Sequence, residues 1–191
     1  MNEKVLIVFA ANPKGGESTA SRDAFYSDCY ALNPSDMLRD DAAKTNKQLT
    51  TPADYRSYER ELRHRNGTDA LAQLVLQSVE RSPTLLQGGI HNYADYLRYK
   101  AASPLIKTCV VAIWCPAEVR YKRTVEKDMP GVVPMSQAEF LEAEYPDYDS
   151  PNPCGYHDLR IMQQADFGVY SNCPRSNMLG QIKGIINFVC G

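Results

Sequence analysis

Val5-Leu6-Ile7-Val8-Phe9-Ala10, running directly into Ala11-Asn12-Pro13-Lys14-Gly15-Gly16-Glu17-Ser18-Thr19, is the stretch that decides the fold. An unbroken apolar run rich in β-branched residues suits a strand covered on both faces, as in a parallel sheet. The Pro and Gly residues end the strand, and Ser18 or Thr19 opens a helix reaching to Phe25. A buried strand, a Gly-rich turn and a helix start bring backbone N–H groups together at the helix N-terminus. That arrangement is a cradle for anions.

The same alternation continues along the chain. Thr108-Cys109-Val110-Val111-Ala112-Ile113-Trp114 is a second buried strand, Thr84–Gln87 a short one and Ala165–Tyr170 the last. Helical patterns lie between them. One is a short helix over Asp36–Lys44. Arg56–Ser82 is one long helix or a broken pair, striped by Leu62, Leu71, Leu74, Val75 and Val79. Tyr93–Ala102, Pro116–Lys127 and Asn177–Val189 follow, the helix at 116 starting on a proline whose missing N–H costs little there. Residues 128–158 hold five of the twelve prolines and predict an irregular, lid-like insert with one short helix, Gln137–Glu144. Strands alternating with helices predict an α/β three-layer sandwich, a mainly parallel five-stranded sheet with helices on both faces. The 191 residues fit one domain over 1–191.

Composition narrows the function classes. Twenty-one basic against 23 acidic residues leave a net charge of -2, without the basic excess of a general nucleic-acid binder. No apolar run reaches the roughly 18 residues of a membrane span, and the start lacks the build of a signal peptide, so a cytoplasmic protein without membrane attachment is expected. The six cysteines include no C-x-x-C pair and the three histidines are scattered, so a zinc cluster is not expected and the cysteines read as free thiols.

Chemistry concentrates at the loop. The phosphate-loop pattern is G-x-x-x-x-G-K-[ST]. Gly16 and Ser18 match it, Ala11 stands at the first Gly, and Glu17 stands at the Lys. The pattern's Lys neutralises β- and γ-phosphate charge. A carboxylate there repels the same oxygens, and a unit charge pair at ~4 Å with an effective dielectric of ~20 is worth ~4 kcal/mol. Lys14, three residues earlier, is the nearest cation able to compensate.

Five further segments, in order, resemble the P-loop nucleotide kinases, above all the branch holding dephospho-CoA kinase-like proteins and deoxynucleoside monophosphate kinases. Ser35-Asp36-Met37-Leu38-Arg39 resembles the acceptor-side segment. Glu61-Leu62-Arg63-His64-Arg65-Asn66-Gly67-Thr68-Asp69-Ala70-Leu71 resembles "L-R-x-x-G-x-D-x-L", and Leu86–Asn92 sits where the family has a strand ending in "D-G-I-R". Ala112–Arg123 is similar to "V-x-A-P-x-x-x-R-x-x-R", and Ala165–Asn172 to "A-D-x-x-I-x-N". The resemblance implies transfer of the ATP γ-phosphate to a nucleotide-type acceptor: a nucleoside monophosphate, a deoxynucleotide or a dephospho-CoA-like molecule. It implies a P-loop NTPase-like fold. It places ATP phosphates on Asn12, Pro13, Gly15, Gly16, Glu17, Ser18 and Thr19, and Mg²⁺ on Ser18. Lys14, Arg120 and Arg123 then act on the transferring phosphoryl, and Asp36, Arg39, Arg63 and His91 seat the acceptor.

Three chemical positions depart from the family: Glu17 for the Lys, Gly88 for the Asp of "D-G-I-R", and His91 for its Arg. Residues 128–158 also lack the arginines of family lids. Two readings follow. One is an active, atypical nucleotide kinase in which Lys14 stands in for the missing cation. The other is a catalytically impaired kinase-fold protein acting as a nucleotide-binding or interaction module. Oligomeric state is left open.

Overall fold

The apolar run forms strand β1 (Lys4–Ala11), fully buried from Val5 onward. It is the centre of a five-stranded, all-parallel sheet in the order β2-β3-β1-β4-β5, with β2 at Tyr30–Leu32, β3 at Thr84–Gly88, β4 at Ile106–Trp114 and β5 at Phe167–Tyr170. This computed structural model describes residues 4–12, 14–23, 29–79, 84–102, 104, 106–126 and 135–191, apart from the side chains at 52 and 145–147. Pro13 and the expected end of the first helix at Phe25 therefore lie outside the described residues.

The pleat of β1 assigns the two faces. Val5, Ile7, Phe9 and Ala11 pack with Ala20 of helix α1 (Glu17–Asp23) and with Met178, Ile182, Ile186 and Val189 of α9 (Arg175–Cys190). Leu6, Val8 and Ala10 pack on the opposite side. Their partners are Ala72, Val75 and Val79 of α4 (Ala70–Val79), Tyr96 and Tyr99 of α5 (Tyr93–Ala101), and Ile161 and Met162 of α8 (Asp158–Gln163). This is the expected three-layer α/β sandwich. A satellite core joins α2 (Pro34–Lys44), α3 (Pro52–Asn66) and α4 through Leu38, Tyr58, Leu62 and Leu71. Two helices, α6 (Ala117–Val125) and α7 (Gln137–Tyr148), complete the described elements.

Of the two alternatives for the long helical pattern the structure has the broken pair, ended at Gly67, whose φ of 100° is glycine territory. Two features differ from expectation. Strand β2 was not anticipated: its three residues are only partly covered and occupy the sheet edge, so no periodicity marks them. Within the insert, α7 runs four residues past Glu144. A capping box between Ser136 and Glu139 starts it, and its buried Phe140 and Glu144 dock against α6. Among the described residues no helix is long and apolar enough to cross a membrane.

Because Ile7 is fully buried in the central strand, Ile7→Ala is expected to remove ~2–5 kcal/mol of stability. Urea unfolding should show this as a lower midpoint with an unchanged slope.

Candidate functional site

In an all-parallel sheet every strand ends on the same edge. Register brings Gly88 of β3 beside Phe9 of β1, Ile113 of β4 beside Ala11, and Trp114 beside Tyr170 of β5. The chain leaves β1 with one neighbour sequence on each side, so the loop after Ala11 opens where strand order reverses. Open α/β sheets bind ligands at such a point.

The loop is held by backbone contacts. Gly15 N donates to Asn12 O at 2.8 Å, and Gly16 adopts a φ of 122° that side chains avoid. Arg123 of α6 closes the arrangement. Its Nη1 donates to Lys14 O at 3.0 Å and Gly15 O at 3.2 Å, and its Nη2 to Ser171 O at 2.6 Å and Ser171 Oγ at 3.0 Å. One guanidinium thereby ties the loop to the end of β5.

Two cavities meet above this edge. One, about 680 Å³, lies over the loop between Lys14, Thr19, Arg123, Ser171, Arg175 and Met178. The other, about 560 Å³, lies over α2 and α3 between Asn33, Leu38, Arg39, Tyr55, Glu59 and Leu71. Glu17, Ser18, Arg56, His91 and Tyr156 belong to the walls of both. Among the described residues five potential cations, Lys14, Arg56, His91, Arg123 and Arg175, line the first cavity against one carboxylate, Glu17. Glu17 does not turn away from the loop: its Oε2 accepts from Gly16 N at 3.1 Å, occupying one N–H of the cradle.

The remaining expected site residues divide. Arg39 lines the second cavity, held by Tyr55 Oη at 3.0 and 2.6 Å and by Asp36 Oδ1 at 2.7 Å, while Asp36 stands behind it. Arg63 lines neither cavity. It is buried between α3, α4 and α5, paired at 2.6 Å with both Glu59 and Asp95, and also donates to Thr68 O. Arg120 is buried, pairs with Glu144 and donates to Tyr148 Oη at 2.9 Å, so it fastens α7 to α6 and lines neither cavity. Gly88 has a packing reason: a side chain there would run into Ser21 of α1, whose Cβ would lie 3.1 Å from the new carbon.

His91 is the most perturbed group of the site. Its Nδ1 lies 2.9 Å from Oδ1 of the fully buried Asp158, and Tyr156 packs on its ring at 5.0 Å. Burial works against the imidazolium, but Asp158, with Glu17 and Glu59 behind it, outweighs burial and lifts the pKa from 6.5 to about 9. His157 next door is pushed down by burial, and its Nδ1 accepts from Tyr93 N at 3.3 Å, which needs the unprotonated atom. Among the described residues no group of three or more His, Cys, Asp or Glu stands together to hold a metal, and the cysteines described are free thiols.

Sequence reasoning missed Arg56, Arg175, Tyr156 and Asp158 as site residues. They come from α3, α9, the segment before α8 and the start of α8, so no spacing announces them.

Two outcomes follow. Arg63→Met leaves Glu59 and Asp95 buried without their cation, and is expected to cost about 3–5 kcal/mol in urea unfolding. The His91 pKa is raised on folding, so its stabilising contribution is complete below pH 6.5 and disappears as pH rises through about 9. Unfolding free energy should therefore fall across that window, and His91→Gln should flatten the fall.

No known family profile matches the chain, and no curated protein matches it in sequence. Solved structures do match in shape. Shikimate kinase from Bacteroides thetaiotaomicron superposes with a TM-score of 0.59 at 11% identity, covering 97% of this chain and 98% of that one. A Thermus thermophilus protein gives 0.56 at 14%, covering 99% and 100%. The Mycobacterium tuberculosis APS kinase, solved with AMPPNP and APS, gives 0.55 at 12%, covering 100% of both. At these identities the likeness concerns the fold alone: this chain shares its five-stranded α/β architecture with those structures, two of which are kinases.

Proposed function

We propose that the protein is a P-loop phosphotransferase that moves the γ-phosphate of ATP to a nucleotide-type acceptor. The observation that carries this reading is the pair of cavities joined at Glu17, Ser18, Arg56, His91 and Tyr156. A donor above the loop and an acceptor above α2 and α3 would meet at that wall, with the transferring group between them.

Each wall has a role. The N–H groups around Asn12 to Ser18 would hold the ATP phosphates, with Thr19 beside them. Lys14 supplies the cation that position 17 lacks, and Arg123 holds the loop carbonyls so that the amides face the ligand. Arg39 and Arg56 suit the phosphate of an acceptor such as a nucleoside monophosphate, deoxynucleotide or dephospho-CoA-like molecule, with Asp36 steadying Arg39. Ser18 lines both cavities, and its hydroxyl would suit Mg²⁺ held mainly through substrate phosphates, a mode needing few protein oxygens. When bound, Mg²⁺ neutralises charge on the β- and γ-phosphates.

Glu17 is the feature that works against donor binding, and it makes the reading testable. Mg-ATP at about a hundredfold its Kd should add ~2.7 kcal/mol, raising the melting temperature by roughly 5–10 °C for a chain of this size. Glu17→Gln should tighten Mg-ATP by about tenfold or more, since it removes a repulsion of up to ~4 kcal/mol. Lys14→Ala should lower kcat by about 10²–10³, as loss of a single transition-state donor does. Absence of any Mg-ATP shift, together with ATP binding created only by Glu17→Lys, would instead identify an impaired kinase-fold protein.

A further inference from the structure

We propose that His91 carries positive charge to the transferring phosphoryl group, with Asp158 as its positioning residue, so that the turn after β3 supplies a cation which the start of α1 lacks. This rests on the phosphotransferase reading and adds a residue role to it.

The geometry is built from three directions. The segment before α8 is stapled onto residues 91 and 92: Asn92 Nδ2 donates to Pro153 O and Gly155 O at 2.8 Å each, and His157 N donates to His91 O at 2.6 Å. That docking delivers the Tyr156 ring to one side of the imidazole and the buried Asp158 carboxylate to Nδ1. With Nδ1 committed to Asp158, Nε2 is the atom left to meet a ligand. It stands near Glu17: a side-chain carbon at Gly89 would be 3.2 Å from Nε2 and 3.8 Å from Glu17 Cγ. His91 lines both cavities, whereas Lys14 lines only the donor side. His91 faces the carboxylates of Asp158 of α8, Glu17 of α1 and Glu59 of α3, and it shares its cavity wall with the cations Lys14, Arg56, Arg123 and Arg175. The ion pair with Asp158, supported by the other two carboxylates, keeps the ring protonated near neutral pH.

An imidazolium suits the chemistry. The γ-phosphorus gains a bond from the acceptor oxygen and loses its bond to the β,γ-bridging oxygen, which leaves on the diphosphate with the electron pair. A nucleoside monophosphate attacks through a phosphate oxygen whose last proton leaves near pH ~6, so no proton has to move during transfer. His91 keeps its proton and donates through Nε2 to the equatorial oxygens, where charge accumulates.

The test combines turnover with histidine NMR on the full chain. His91→Gln should lower kcat about a hundredfold with KM for ATP little changed. His91→Arg should restore turnover and abolish the loss of activity that the wild type shows as pH rises through 9. Asp158→Asn should move that alkaline limb down by about one unit or more. An unchanged kcat in His91→Gln, or an alkaline limb that Asp158→Asn leaves in place, would overturn the proposal. Inorganic tripolyphosphate, titrated into protein carrying ¹³C-labelled histidine, gives a readout without turnover: His91 should shift and its pKa should rise. Tripolyphosphate that binds while His91 stays unmoved overturns this proposal and leaves the kinase reading standing. A His91 response without phosphorylation of any acceptor overturns the kinase reading and, with it, the role of His91 in transfer. Failure of tripolyphosphate to bind overturns both.

Discussion

Three backbone carbonyls, those of Lys14, Gly15 and Ser171, converge on the guanidinium of Arg123. The rest of the site depends on that convergence. A loop at the end of a central strand has its N–H groups available to a ligand only if its carbonyls are satisfied elsewhere, because buried backbone polar groups must be paired. Arg123 is a rigid fork of donors, and it satisfies carbonyls from two loops at once. The same contact fixes α6 against the ends of β1 and β5. Arg120, one turn earlier, then fastens α7 through Glu144 and Tyr148. Two arginines three residues apart therefore do different work: one shapes the loop and the other anchors the insert.

Charge in the site follows from where cations can be placed. Position 17 puts a carboxylate on a loop amide, and Gly88 leaves no room for a side chain beside Ser21. The compensating groups arrive from elsewhere: Lys14 within the loop, Arg56 from α3, Arg175 from α9 and His91 from the turn after β3. The near-balanced total of -2 hides this. Two acidic residues of the insert are paired internally, Glu144 with Arg120 and Asp158 with His91.

The central strands and the α/β layering were legible because a strand buried on both faces leaves an unbroken apolar run, as in residues 5–10 and 108–114. The edge strand Tyr30–Leu32 leaves no such trace, since partial exposure places no demand on side-chain pattern. The loop after β1 was legible because a tight turn from a buried strand into a helix start requires Gly and Ser at fixed local offsets. Roles assigned by resemblance separated once packing was visible. Arg39 and His91 reach the cavities, whereas Arg63 closes an internal network with Glu59 and Asp95. Arg56, Tyr156, Asp158 and Arg175 depend on tertiary convergence of separate elements, and convergence has no signature in spacing.

The central claim is that the two cavities are one phosphotransfer site, donor on one side and nucleotide-type acceptor on the other. A bisubstrate analogue, two nucleosides joined by a chain of five phosphates, spans both. Titrated into ¹⁵N-labelled protein, it should bind more tightly than ATP, because linking the two halves removes the cost of a second association. It should also shift amides of Gly15, Gly16 and Ser18 together with those of residues 33–39 and 91. Binding no tighter than ATP, with shifts confined to one cavity, would contradict the account.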